Sequence, residues 1–117
     1  MQGLSHPKAK ILAHPTGRLL NQRPGYDLDW DKIFEFCKKH NKALEINSWP
    51  LRLDLPDNLV REAVKSGVRL VIDTDSHAAS QMEMMEYGVF VARRGWATPR
   101  DILNTLDYNE VSEWLKK

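Results

Sequence analysis

Apolar residues fall into three short blocks, separated by two stretches of helical period. Ile11, Leu12 and Ala13 form the first block within Lys8–His14. Ala43, Leu44 and Ile46 form the second within Lys42–Asn47. Val68, Leu70, Val71 and Ile72 form the third, bounded by Gly67 and a polar cluster. Short apolar runs of this kind read as strands. The first is expected to be a short buried strand. The third is nearly continuous, the pattern of a parallel strand covered on both faces. Between the blocks, Trp30, Ile33, Phe34 and Cys37, and then Leu59, Val60, Ala63 and Val64, recur at helical spacing. Asp27 or Asp29 is placed to cap the first helix, Asp31–His40, and Asn41 to end it. Asp57 or Asn58 starts the second helix, which Gly67 stops. The alternation implies parallel strands joined by right-handed crossovers, a βαβαβ unit over about residues 8–77.

Residues 78–117 read as a helical tail. Ala78–Tyr87 predicts a helix with Met82, Met85 and either Met84 or Tyr87 turned inward as gap-filling core. Gly88 interrupts the pattern, Val89–Ala92 continues as helix, and Arg93–Trp96 closes it. Thr98, Pro99 and Asp101 make a capping-box-like start, with Ile102, Leu103 and Leu106 on the apolar side. Tyr108–Lys117 is a final amphipathic helix using Val111, Trp114 and Leu115. Met1–Pro7 is polar and turn-like, and Leu19–Leu28 is a loop with a Pro24–Gly25 turn.

Composition changes this picture little. The 117 residues make one domain with a modest core. A net charge of +1 gives no broad electrostatic grip on nucleic acid, so such a partner needs a local site. The single cysteine, Cys37, excludes an internal disulfide and suits a reducing compartment. No apolar run is long enough for a bilayer and the N-terminus has no apolar signal region, so the expected location is cytoplasmic.

The candidate chemistry lies at the carboxyl ends of the three strands. Pro15 stops the first near His14. Thr16–Gly17 supplies a tight turn with free backbone N–H groups, and Arg18 is placed to face an anion. Asn47 ends the second strand. The loop after it carries Arg52, either beside a phosphate or paired with Asp54 at the surface. After the third strand, Asp73, Asp75 and His77 fall within five residues. Residues two apart in an extended chain point the same way, so Asp75 and His77 aim at one point. Parallel topology brings all three loops to one rim, where ligands bind in helix-covered sheets. His14, Asp75 and His77 are mixed nitrogen and oxygen donors, suited to Zn²⁺, Mn²⁺ or Fe²⁺ rather than Ca²⁺ or Mg²⁺. Arginines beside such an ion point to a phosphate ester substrate. His40 sits in a last helical turn, where it answers the helix dipole. A flavodoxin-like regulator also fits the alternation but leaves the paired histidines unexplained.

Several ordered segments resemble the PHP (polymerase and histidinol phosphatase) family, and most closely the PHP domain at the C-terminus of bacterial family X DNA polymerases. They are Ile11-Leu12-Ala13-His14-Pro15-Thr16-Gly17-Arg18, Ala43-Leu44-Glu45-Ile46-Asn47, Arg52-Leu53-Asp54-Leu55, Asp73-Thr74-Asp75-Ser76-His77, and Tyr87-Gly88-Val89 with Ala92-Arg93-Arg94-Gly95-Trp96. The resemblance implies part of a distorted seven-stranded α/β barrel, with three parallel strands, flanking helices and a helical C-terminus. It implies divalent metal, Mn²⁺ or Zn²⁺, with His14 matching the histidine of a His-Pro motif and Asp75 and His77 a late Asp-x-His pair. It implies a phosphoesterase or 3′–5′ exonuclease acting on DNA. Arg18, Asn47 and Arg52 become substrate-side or supporting groups. The family's early His-x-His, its further histidines and its bridging Glu have no counterpart here. The expectation is therefore the C-terminal portion of a PHP domain, active only with its complementary N-terminal half, or else a catalytically incomplete interaction module. Sheet edges left open predict pairing with that half or with a second copy of this chain.

Overall fold

The computed structural model describes residues 2–117; Met1 lies outside the described residues. Three parallel strands, β1 (Ile11–Leu12), β2 (Ala43–Asn47) and β3 (Arg69–Asp73), form one sheet in the order β1-β2-β3. Ala43 pairs with Ile11 on one side and Arg69 on the other, and Asn47 pairs with Asp73. The βαβαβ reading holds: α2 (Trp30–Lys39) and α3 (Asp57–Ser66) make the two crossovers. Strand order runs in sequence with no switch point, unlike the 2-1-3-4-5 order of a flavodoxin-like sheet.

The helices form where the sequence places them because cap and periodicity agree. Asp29 accepts the N–H of Lys32 and starts α2, and Asn41 follows it at φ 55°. Gly67, at φ 80°, ends α3. Ile33, Phe34 and Cys37 of α2, and Val60 and Ala63 of α3, are buried. So are Val91 and Ala92 of α4 (Met85–Arg94). All pack in one core with Leu44, Ile46, Leu70 and Ile72. Those four strand residues share one face by period and register. The three long helices therefore cover a single face of the sheet.

The opposite face carries Ala43, Glu45 and Asn47 from β2, and Arg69, Val71 and Asp73 from β3. A smaller cluster of Leu103, Trp114 and Leu106 packs on Ala43 and Val71 at one end. This one-sided cover corrects the reading of β3 as buried on both faces: Leu70 and Ile72 are buried, while Arg69, Val71 and Asp73 are only partly so. β1 is also less buried than expected. It is the edge strand, only two residues pair, and Ile11 is 42% exposed. Beyond β1, the β2 edge is taken by the chain folding back: Asn47 and Asp54 form an antiparallel bridge, and the Leu55 N–H donates to the Glu45 carbonyl.

Gln2–Ser5 is a single helical turn, α1, rather than turn-like chain. A turn this short has no cooperativity of its own; it is held by Leu4, buried in the main core. Lys42 ties the following segment down, its buried ammonium donating to the carbonyls of His6 and Ala9.

The tail departs from the expected helices in two places. Ala79–Met84 is a 3₁₀ segment leading into α4, and Met82 is 64% exposed, so it is not core; Tyr87 is also exposed, and only Met84 and Met85 are partly buried. The Thr98–Asp101 capping box forms, but on a 3₁₀ turn, Pro99–Asp101, followed by another at Leu103–Thr105. Ile102 between them is extended and bridges Leu70 in parallel. Strand pairing at the β3 edge thus overrides local helix propensity. α5 (Tyr108–Lys116) has its own capping box and buries Trp114, whereas Leu115 faces solvent. Among the described residues, no helix is long and apolar enough to cross a membrane.

Candidate functional site

The polar end of the open sheet face is built from buried side chains rather than loop tips. Glu45 and Asn47 stand two apart on β2, and Asp73 lies opposite Asn47 on β3. Glu45 is 7% exposed and Asn47 fully buried. Glu45 Oε1 accepts the main-chain N–H of His14 at 2.6 Å and the Asn47 amide at 3.3 Å. The same Asn47 nitrogen reaches Asp75 Oδ2 at 3.4 Å, and Asn47 Oδ1 accepts the Trp49 N–H at 3.0 Å. One hydrogen-bonded chain therefore joins the loops after all three strands.

Asp73 sits against this chain. Burial, a hydrogen bond with Glu45, and the charges of Glu45 and Asp75 push its carboxyl up to about 8. Its Oδ1 is buried without a hydrogen-bond partner among the described residues. A protonated Asp73 avoids placing a second charge beside the Glu45 carboxyl.

The first loop is held by a second buried carboxylate. Asp54, fully buried, accepts the Thr16 N–H at 3.0 Å and the Gly17 N–H at 2.9 Å. Two expectations change here. The Thr16–Gly17 amides are not free for an anion, and Asp54 is not a surface partner of Arg52. Arg18 is half-buried and braces the second loop, its Nε donating to the Arg52 carbonyl at 2.8 Å and Nη2 to that of Leu53. Arg52 is half-buried, with Nη1 enclosed and unpartnered among the described residues.

Asp75 and His77 line one cavity of about 280 Å³, together with Trp49 and Gln81. Both are exposed. His77 Nδ1 lies 2.9 Å from the Asp75 carbonyl, and its N–H donates to Gln81 Oε1 at 2.7 Å. His14 is exposed at φ 29° and lines a different cavity, with Leu12, Tyr26 and Leu28. Its link to Asp75 runs through Glu45 and Asn47. Asp75 and His77 supply one oxygen and one nitrogen donor at one place. Among the described residues, no three His, Cys, Asp or Glu side chains are grouped to hold an ion. The donor chemistry fits a transition metal, but these residues alone do not close around one.

Across 114 residues, 97% of its length, the chain is 41% identical to the DNA polymerase/3'-5' exonuclease PolX of Bacillus subtilis (strain 168). The resemblance to a family X DNA polymerase read from the motifs is matched by this relative. It is also 25% identical over 119 residues to a probable phosphatase of Acetivibrio thermocellus. The chain spans 20% of the length of PolX and 46% of that of the phosphatase. No family model matches. Glu45, Asp73 and Trp49 are residues of this region that the sequence reading left without a role, and Asp54 is one it placed at the surface. The alternation of Glu45 and Asn47 with apolar Leu44 and Ile46 was the available signal for the first. Nothing local marks Asp54, whose partners lie 37 and 38 residues upstream.

Proposed function

We propose that this chain is the C-terminal portion of a PHP-type phosphoesterase, which as a complete protein removes nucleotides from DNA 3′ ends. The observation that carries the reading is Asp75 and His77 on one cavity, joined through Asn47 and Glu45 to the main chain of His14. Two further facts support it. The PolX relative is named a 3'-5' exonuclease, and the other relative a phosphatase, both reactions at phosphate esters.

On this reading, His14, Asp75 and His77 are ligands for Mn²⁺ or Zn²⁺. Further ligands come from residues beyond these 117, in the same polypeptide or in a partner. Residues 8–77 form the βαβαβ unit of a barrel, and the outer edge of β1 receives the next strand, from a complementary PHP half or a second copy. Arg52 is the phosphate-facing arginine: it is half-buried on the loop before Asp54, and its Nη1 has no partner among the described residues. Arg18 and Asn47 hold the loops that carry it and Asp75. Free Cys37, with no disulfide, accords with a cytoplasmic setting.

Thermal unfolding with millimolar Mn²⁺ or Zn²⁺ tests the reading. A metal tenfold above its Kd adds about 1.4 kcal/mol to the folded state, a rise of roughly 5 °C. Asp75→Asn and His77→Ala should each abolish that rise. Adding a PolX-type N-terminal PHP segment with Mn²⁺ should then shorten a 3′-labelled oligonucleotide. An unchanged melting temperature with either metal would assign the chain to an interaction role instead.

A further inference from the structure

Trp49 lines the cavity shared by Asp75 and His77 and is its one indole among the described residues. The paired-donor chemistry does not use it, and the PHP resemblance was carried by residues on either side of it. Its backbone is pinned from three directions. Its N–H donates to Asn47 Oδ1 at 3.0 Å, and its carbonyl accepts from the N–H groups of Arg52 at 2.8 Å and Leu53 at 2.9 Å. The residue that fixes the Trp49 N–H also contacts Asp75. The Trp49 main chain and the Asp75 carboxylate are therefore tied to each other through one buried amide, and both side chains line the same cavity. Trp49 is half-buried, so part of its surface remains available.

We infer that Trp49 is a stacking platform for a single nucleobase, placed beside the Asp75–His77 pair, and that it makes the site select nucleotides over simple phosphate esters. The inference rests on the phosphoesterase reading above. A cavity of about 280 Å³ is near the lower end of the ~300–1,000 Å³ range for small-molecule sites. It has room for one ring and its sugar, not for a base pair. Stacking on an aromatic side chain tolerates any base, because each presents a π face. It also favours an unpaired terminal base over one that must leave a duplex stack. An indole offers far less to a phosphate ester that carries no aromatic base. The same donors beside Trp49 thus suit a DNA terminus better than a sugar phosphate.

The test compares deoxyadenosine 5′-monophosphate with 2-deoxyribose 5-phosphate, which lacks the base, by calorimetric titration in millimolar Zn²⁺. The nucleotide should bind about tenfold more tightly. Trp49→Leu should erase that preference, and Trp49→Phe should keep most of it. In the unmutated chain, nucleotide binding should move the Trp49 indole proton signals upfield and leave those of Trp30, Trp96 and Trp114 in place, a readout independent of how the variants fold. Equal binding of the two compounds, a preference that survives Trp49→Leu, or movement of another indole would overturn the stacking role and leave the phosphoesterase reading intact. Binding of neither compound would overturn both.

Discussion

Glu45 Oε1 accepts the backbone N–H of His14 at 2.6 Å, across 31 residues of sequence. A side chain on the central strand thus sets the position of a residue whose own side chain points to solvent. The carboxylate also holds Asn47 and crowds Asp73, so its geometry and its charge act in opposite directions. Glu45→Ala removes the acceptor and leaves a buried amide unpaired, which should cost about 1.5–3 kcal/mol. Glu45→Gln retains an acceptor and removes the like charge, so its cost should be under about 1 kcal/mol at pH 7.5. Urea unfolding of both variants separates the two roles. Equal losses would mean that the charge, not the hydrogen bond, is what matters.

Asp73 makes stability depend on pH in a direction opposite to that of a salt-bridged carboxylate. Its carboxyl is held up to about 8 in the folded chain and returns to an ordinary value near 4 on unfolding. Between those values, the folded state binds more protons than the unfolded state, so this group's contribution falls as pH rises. It is fully present below pH 4 and lost once pH exceeds about 8. Asp73→Asn mimics the protonated form. It should leave the melting temperature near that of the parent at pH 5 and raise it by several degrees at pH 8.5, both measured in EDTA. A difference that does not change between the two pH values would remove Asp73 as the responsible group.

Asp54 closes the first loop onto the second, and its loss should be felt in both. It is fully buried and receives N–H groups from Thr16 and Gly17. Hydrogen bonds to a charged acceptor are worth about 1.5–3 kcal/mol each. Asp54→Ala should therefore lower stability by about 3 kcal/mol or more, and Asp54→Asn by less. Amide hydrogen exchange at Thr16 and Gly17 should speed up in Asp54→Ala while exchange in α2 keeps its protection relative to global stability. Unaltered exchange at the two amides would show that other contacts hold the turn.

What the sequence made legible depended on how local the cause was. α2 and α3 were readable because their caps, periodicity and stop signals all lie within ten residues of one another. The parallel order of the strands followed from alternation alone. β1 and β3 were misjudged in burial because apolar character does not say how many faces are covered. Here the three long helices cover one face, and the other is covered in part, by the Leu103–Trp114 cluster at one end and by the loops against Glu45 and Asn47 at the other. Of the exposed residues singled out, Asp75 and His77 share one cavity and His14 lines another, while the buried Glu45 and Asp54 behind them were passed over. Glu45 and Asp73 interact across strands, and Asp54 across loops, so no window of sequence contains either pair.

The outer edge of β3 is closed by a side chain, and this explains why the tail after Thr98 abandons helix. Asn104 Oδ1 accepts the Ile72 N–H at 2.8 Å, and Asn104 Nδ2 donates to the Ile72 carbonyl at 2.8 Å. An amide side chain thereby substitutes for a fourth strand at the residue where one would next pair, while Ile102 bridges Leu70 below it. Both bonds lie at a partly buried position, so Asn104→Ala should cost about 1–2 kcal/mol. It should also uncover a row of backbone groups that a second chain can pair with. The expected result is a lower melting temperature together with concentration-dependent association in sedimentation velocity. Asn104→Asp, which cannot donate to the carbonyl, should restore only the bond from the Ile72 N–H. A monomeric, fully stable Asn104→Ala protein would place the edge protection in the Ile102 bridge alone.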